Sequence, residues 1–218
     1  IEPSETNYSW ADADALPRGT VELRTGDIRD LGCVRDAVAG CRLVYHLAAN
    51  PQLWTRRRGD FNAVNHLGAR NVLEAALNAG AERVLHTSTE SILTVAERGA
   101  PIREDQSVSI SDVIGPYCRS KYLAERYALR VGREGAPVVV VNPTLPVGPG
   151  DFGRSPPTQM ILDFCLGKRP AFLDAELNLI DVRDVAEGMV RALERGVPGR
   201  RYLLGGEDWS IRSIFAYL

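Results

Sequence analysis

The chain has 218 residues, of which 44% are hydrophobic and 25% charged, with a formal net charge of −2 at pH 7; this is the makeup of a globular protein with room for one α/β domain or somewhat more. Acidic and basic residues are interspersed, so no overall field favours nucleic acid or an acidic membrane surface as a partner. Four cysteines without C-x-x-C spacing and only three histidines suggest neither a metal site nor a disulfide framework, and no apolar run reaches the roughly 18 residues of a membrane span. A reducing, cytoplasmic setting is expected. The chain opens on Ile1 without a methionine, so Ile1 is not expected to be the protein's true beginning.

In chain order, short apolar or β-branched runs alternate with stretches of helical period, the pattern of β-α repeats around a parallel sheet. Val21 to Thr25 reads as a strand. "RDLGCVRDAVAG" reads as a short helix closed by Gly40, "RLVYHLAA" (Arg42 to Ala49) as a buried strand, and Arg56-Arg57-Arg58 as a solvated loop. "DFNAVNHLGARNVLEAALNAG" predicts a long helix with Val64, Leu67, Val72, Ala75 and Ala76 on its apolar side, stopped by Gly80. "ERVLHTST" is the next strand. A loop of about twenty residues leads to a helix from Tyr117, and loops that long in compact domains are usually functional. "APVVVVNP" is a valine strand covered on both faces. Beyond the Pro/Gly-rich stretch Pro143 to Pro157, the pattern predicts a helix from Thr158 to Leu166, a short strand at Ala171 to Leu173, a strand and helix in "LNLIDVRDVAEGMVRALERG", a strand in "RYLLGG" and a helix capped by Ser210. The lengthening loops divide the chain into a dinucleotide-binding region, residues 1–145, and a smaller substrate lobe with late sheet elements, residues 146–218.

Two stretches carry chemistry. Tyr117 and Lys121 stand four apart in "YCRSKYLAE", on one face of a helix. A phenol with its ordinary pKa near ~10 is a poor proton carrier at neutral pH, whereas a nearby ammonium favours the phenolate. Tyr-x-x-x-Lys alone is a weak signal. One strand upstream, "HTSTES" brings the hydroxyls of Ser88, Thr89 and Ser91 to a strand's carboxyl end, where open parallel sheets bind ligands. A polar strand-to-loop turn would look the same, and only the two stretches together are specific.

"GDIRD", "VYHLAA", "VNHLGARNVLEAA", "VLHTSTES", "YCRSKYLAE" and "VVVVNPTLPVGPGD", in that order, resemble the extended short-chain dehydrogenase/reductases, the NAD-dependent epimerase/dehydratase family. The stretch from Asn142 to Glu207 is most similar to hopanoid-associated sugar epimerases and dihydroflavonol 4-reductase-like proteins. The resemblance implies a doubly wound, Rossmann-type α/β fold and NAD or NADP as cofactor. It implies Tyr117 as catalytic acid/base, Lys121 as the residue that lowers its pKa and binds the nicotinamide ribose, and Thr89 as the catalytic hydroxyl. Asp27 and Ile28 would hold the adenine, Leu47, Ala48 and Ala49 would line the dinucleotide, and Pro143 and Thr144 would face the nicotinamide. Asn65 would brace the site from behind, and Glu90, Ser91 and Asn142 would contact the substrate. The reaction implied is hydride transfer at a hydroxyl or keto carbon of a nucleotide-sugar-like molecule; a dihydroflavonol-type ketone reductase and a non-catalytic binding protein on the same fold are the alternatives. The small-molecule substrate is the main partner, with a homodimer through Asn65 to Ala79 and Tyr117 to Arg130 as a further expectation.

The sequence departs from the family twice. Where dehydratases carry Thr-Asp-Glu, this chain has Thr89-Glu90-Ser91, which puts dehydration below epimerisation or reduction, and Glu90 reads equally as a solvated loop carboxylate. No glycine-rich phosphate turn precedes Asp27, and "GPGDFG" at Gly148 to Gly153 is not followed at once by a helix, so it is no substitute. The first two strands of the family's sheet are therefore expected to be missing, leaving a gap beside Arg42 to Ala49.

Overall fold

The computed structural model describes residues 22–57, 59–93, 100–168, 171–173 and 175–218. Asp30 opens α1 (Leu31–Val38), its carboxylate accepting the Gly32 and Cys33 N–H groups, and Gly40 follows the helix at φ +73°. β1 (Leu43–His46) leads through an irregular segment to α2 (Gly59–Phe61), which runs on through a π-helical segment (Asn62–Gly68) into α3 (Ala69–Asn78). Then come β2 (Arg83–Thr87), a 3₁₀ turn (Glu90–Ile92), α4 (Pro116–Arg133) and β3 (Val138–Pro143). The later elements are β4 (Leu145–Val147), α5 (Pro156–Cys165), β5 (Glu176–Asp181), α6 (Val182–Arg195), β6 (Arg201–Leu204), β7 (Glu207–Ser210) and α7 (Ile211–Tyr217).

The main sheet is parallel, in the order β1-β2-β3-β6. Its centre is the valine strand, whose alternating side chains serve two cores. Val138 and Val140 join Val44, Val84, Leu73, Ala76, Ala128 and Leu129 under α1, α3 and α4. Val139 and Val141 join Leu85, Met189 and Leu193 under α6. With no exposed surface on any of the four valines, each contributes roughly 1.5 kcal/mol or more by burial. On its far side β1 has no strand partner among the described residues, and its Leu43 and Tyr45, which share one face of the sheet, are exposed. A second sheet pairs β4 parallel to β5 and β5 antiparallel to β7. Beside it, Phe164 of α5 stacks on Phe215 of α7 at 3.9 Å between ring centroids.

Several expectations need correction. Residues 22–25 form no strand, and Val21 lies outside the described residues. Ala171 to Leu173 is also irregular, its Phe172 packing edge-on against Phe215. β4 and β7 were not anticipated. Leu67 is 46% exposed rather than core-facing, because the wider i→i+5 turns of the π segment turn Asn65, Gly68 and Ala69 inward in its place. The expected cap is present at Ser210, whose hydroxyl accepts the Ser213 N–H at 3.0 Å.

Candidate active site

The carboxyl ends of β1 and β2 and the first two turns of α4 bring the candidate residues together. α4 starts where it does because Gly115 takes φ +85° and Pro116 occupies its first turn. Its buried stripe, Ser120, Lys121, Ala124, Glu125, Ala128, Leu129 and Gly132, keeps helical spacing and lies on the sheet. At Gly132 the helix comes so near the backbone of Gly199 that a Cβ would stand 2.4 Å from the Gly199 nitrogen, which fixes the height of α4 over β3.

Tyr117 lies edge-on to Phe61, at 6.4 Å between ring centroids, and near the Thr89 side chain. Burial pushes its phenol up to about 12, with the charges of Cys118 and Glu90 adding to the rise and the Thr89 contact opposing it. Lys121 is 4% exposed, and its Nζ donates to the Thr87 carbonyl at 2.6 Å. Burial pulls this ammonium down to about 8, opposed by the Glu125 carboxylate. Among the described residues no hydrogen bond joins the two side chains, and burial rather than the Lys121 charge governs the Tyr117 phenol.

Thr89 is buried, and its hydroxyl donates to Glu90 Oε2 at 3.0 Å and contacts the Ser91 hydroxyl at 3.1 Å. Glu90 is no solvated loop carboxylate: the 3₁₀ turn folds it inward, and burial raises its pKa against the hydrogen bonds from Thr89 and Ser91. The Ser88 hydroxyl is buried without a partner and faces no open surface. Asn142 also needs correction as a substrate contact. It has no exposed surface, and its Nδ2 is used inside the protein, donating to Thr89 O at 3.0 Å and Glu125 Oε2 at 2.7 Å.

Asn65, on the π segment, accepts the Asn50 N–H at 2.7 Å and donates from Nδ2 to Asn50 O and Ser120 Oγ, each at 3.1 Å. Ser120 in turn donates to Tyr117 O at 2.6 Å. One amide therefore ties the loop after Leu47, Ala48 and Ala49 to the helix that carries Tyr117. Three residues on, Gly68 leaves room for Ile28, since a Cβ there would stand 2.7 Å from Ile28 Cγ1. Asn71 holds the Ile28 carbonyl at 3.0 Å. Asp27 beside it is exposed and ion-paired with Arg29, which holds its carboxyl down at about 2. At the end of β3, Pro143 is buried, and Thr144 donates its N–H to Leu204 O at 3.0 Å. Leu47 and Ala48 are exposed at the tip of β1.

Some site residues escaped the sequence reading. His46 and His86 lie side by side in register on β1 and β2, with ring centroids 5.3 Å apart. Burial and the Lys121 charge lower both, His46 to about 4 and His86 well below the ordinary histidine value. Glu125 and Arg201 form a buried ion pair, Arg201 Nε donating to Glu125 Oε1 at 3.1 Å. Two signals pointed here. Glu125 continues the Tyr117, Lys121 spacing by another four residues on an otherwise small and apolar stripe, and the chain holds only two lysines, at 121 and 168. Where arginine serves nearly every cationic position, a lysine inside marks a place that needs a compact, titratable cation. A cavity of about 800 Å³ opens on the far side of the Glu125–Arg201 pair, between the loop at Glu104 to Val108, the later turns of α4 and the start of β6; both residues of the pair line it, and none of Tyr117, Lys121 or Thr89 does.

The model of the NAD dependent epimerase/dehydratase family matches residues 3–205. The chain belongs to that family. Among fellow members, a Synechocystis sp. protein provisionally named dihydroflavonol 4-reductase is 38% identical over 209 residues, 94% of this chain and 61% of the relative. Sterol demethylase protein B of Methylococcus capsulatus is 34% identical over 208 residues, 95% of this chain and 63% of its own length. The crystal structure of gox2253 superposes with a TM-score of 0.84 at 41% identity, covering 90% of this chain and 60% of that one. The structure of RMD from Pseudomonas aeruginosa complexed with NADPH superposes with a TM-score of 0.75 at 25% identity, covering 90% and 70%. The chain thus spans somewhat over half the length of the curated relatives it matches. It shares the Rossmann-type α/β architecture of the family, with the parallel sheet described above.

Proposed function

We propose that the protein is an NAD(P)-dependent oxidoreductase of the epimerase/dehydratase family that acts at a hydroxyl or keto carbon of a nucleotide-sugar-like substrate. The observation that carries this is the meeting of Tyr117 and Thr89 beside the buried Lys121 ammonium at the carboxyl end of β2. The surroundings fit one end of a dinucleotide. Lys121 makes a single hydrogen bond among the described residues, which leaves donors for ribose hydroxyls, and Leu47 and Ala48 present apolar surface at a strand tip. Asp27 and Ile28 would take the adenine, Leu47, Ala48 and Ala49 the dinucleotide, Lys121 the ribose, and Pro143 and Thr144 the nicotinamide. No glycine-rich phosphate turn lies among the described residues; the loop at Gly148 to Gly153 is three residues short of α5. When bound, the cofactor supplies the hydride acceptor or donor.

In this reading Tyr117 Oη gives its proton to the substrate carbonyl oxygen on reduction and, as the phenolate, takes it from the substrate hydroxyl on oxidation, with Thr89 hydrogen-bonding the same oxygen and Glu90 and Ser91 contacting the substrate beside it. The raised pKa of Tyr117 keeps the phenol protonated near neutral pH, and a phenol in that state is ready to donate to a carbonyl oxygen. That observation, with the reductase names among the relatives, supports the ketone reductase as second reading. Incubation with NADH or NADPH and panels of ketones and nucleotide sugars separates them. Stoichiometric cofactor consumption with an alcohol product supports reduction, an epimer without net consumption supports epimerisation, and no product together with no thermal shift on adding cofactor overturns both. A homodimer belongs to the same reading, supported by the exposed Leu67 and Leu123 on the two helices concerned; a monomer mass by sedimentation would contradict it.

A further inference from the structure

Glu125 is the one fully buried carboxylate among the described residues, 1% exposed, and it stands one turn beyond Lys121. Oε1 accepts Arg201 Nε at 3.1 Å and Oε2 accepts Asn142 Nδ2 at 2.7 Å, while the same Asn142 nitrogen reaches the Thr89 carbonyl at 3.0 Å. Buried ion pairs are weak devices for stability, since apolar residues of similar volume often serve as well. This one joins β6, α4 and β3 to the backbone of Thr89. We propose that Glu125 is a positioning residue for the reaction: its carboxylate supplies the negative charge facing Lys121 and, through Asn142, the tether that fixes Thr89 beside Tyr117. This rests on the Tyr117, Thr89 and Lys121 reading above.

The groups facing Lys121 are few. His46 from β1 and His86 from β2 are both held neutral near pH 7, and β2 also offers the Thr87 carbonyl. On its own helix Glu125 is the anion that opposes the effect of burial on Lys121. Glu125 itself faces Arg201 from β6 and Asn142 from β3. Removing its charge leaves the Lys121 ammonium with no counter-charge, so Lys121 sheds its proton at lower pH.

The test uses Glu125→Gln and the double variant Glu125→Gln/Arg201→Met, because the single change strands a guanidinium inside the protein whereas the double removes both charges. With only two lysines in the chain, ¹³C-lysine NMR follows Lys121 directly, with no need for cofactor or substrate. The expected result in the folded variant is a Lys121 titration midpoint lower by about one pH unit or more. The alkaline limb of the kcat profile should move down with it, and kcat should fall about tenfold or more at little change in KM, as expected when groups acting in the transition state are displaced. A folded variant with wild-type Lys121 titration and pH profile overturns the proposal, as does unfolding of both variants, which assigns Glu125 to the fold alone. Tyr117→Phe runs in parallel. If turnover does not depend on Tyr117, the functional reading fails, while the NMR titration still judges Glu125.

Discussion

Replacing Lys121 by methionine should make the protein more stable while removing the cation proposed to bind the cofactor. Lys121 titrates at about 8 in the fold against an ordinary value of 10.5, so at pH 7 the fold carries a burial penalty of about 3 kcal/mol for keeping the ammonium charged. The sign follows from proton counts. Between the folded and unfolded values the unfolded chain binds the extra proton, so wild-type stability rises with pH across that window, and below about 8 the penalty is present in full. Methionine keeps the straight chain and loses the charge, at the expense of the 2.6 Å bond to Thr87 O, worth about 1 to 1.5 kcal/mol. The net expectation at pH 7 is a gain of about 1 to 2 kcal/mol, or roughly 2 to 8 °C in Tm for a chain of this size. Urea unfolding of both proteins at pH 7 and again 2.5 pH units higher measures it. The advantage of Lys121→Met should shrink by about 2 kcal/mol at the higher pH, as the wild-type lysine loses its proton. An equal difference at both pH values would refute the reasoning, because no burial penalty would then be tied to the Lys121 charge.

The two buried histidines act in the opposite pH range. Both have lowered pKa values in the fold, so stability should fall as pH drops below about 6.5, each histidine adding a slope that approaches ~1.4 kcal/mol per pH unit. His86→Leu, which breaks no hydrogen bond since neither ring nitrogen has a partner, should flatten that acid slope; an unchanged slope in urea titrations would count against it. Asn65→Ala removes three buried or partly buried hydrogen bonds and should cost about 2 to 4 kcal/mol. Its amide exchange should quicken at Asn50 and around Ser120 rather than across the sheet, and uniform quickening would mean that Asn65 does not join those two segments.

The parts of the fold that were legible are those that local patterns encode. Four consecutive β-branched valines between Pro137 and Pro143 favour a short strand covered on both faces, and Ser210 before "IRSIFAY" declares a helix start. The π segment left no such mark. Its apolar spacing reads as an ordinary helix, and only the packing of Asn65 against Asn50 and Ser120, and of Gly68 against Ile28, rotates Leu67 outward. β4 and β7 have three or four residues each and exist by pairing with β5, more than thirty residues from β4 in sequence, which no local window contains. At the site, spacing brought Tyr117 and Lys121 to one face but carried no information on where a four-carbon side chain ends. Glu90 looked solvated because a Thr-Glu-Ser turn is polar in composition, whereas its burial depends on how the 3₁₀ turn folds back under Tyr117. Glu125, Asn142 and Arg201 come from three separate elements, and only the assembled sheet brings them to Thr89.

The most direct test of the proposed site is the turnover of Tyr117→Phe, followed as NAD(P)H oxidation with the substrate that the ketone and nucleotide-sugar panels identify, alongside the cofactor-induced thermal shift of the same protein. The expected result is a fall in kcat of about 10²- to 10⁴-fold, the usual contribution of a positioned proton carrier, with the thermal shift unchanged. Near wild-type turnover in the folded variant would contradict the account, because the proton would then travel by a route that does not include Tyr117.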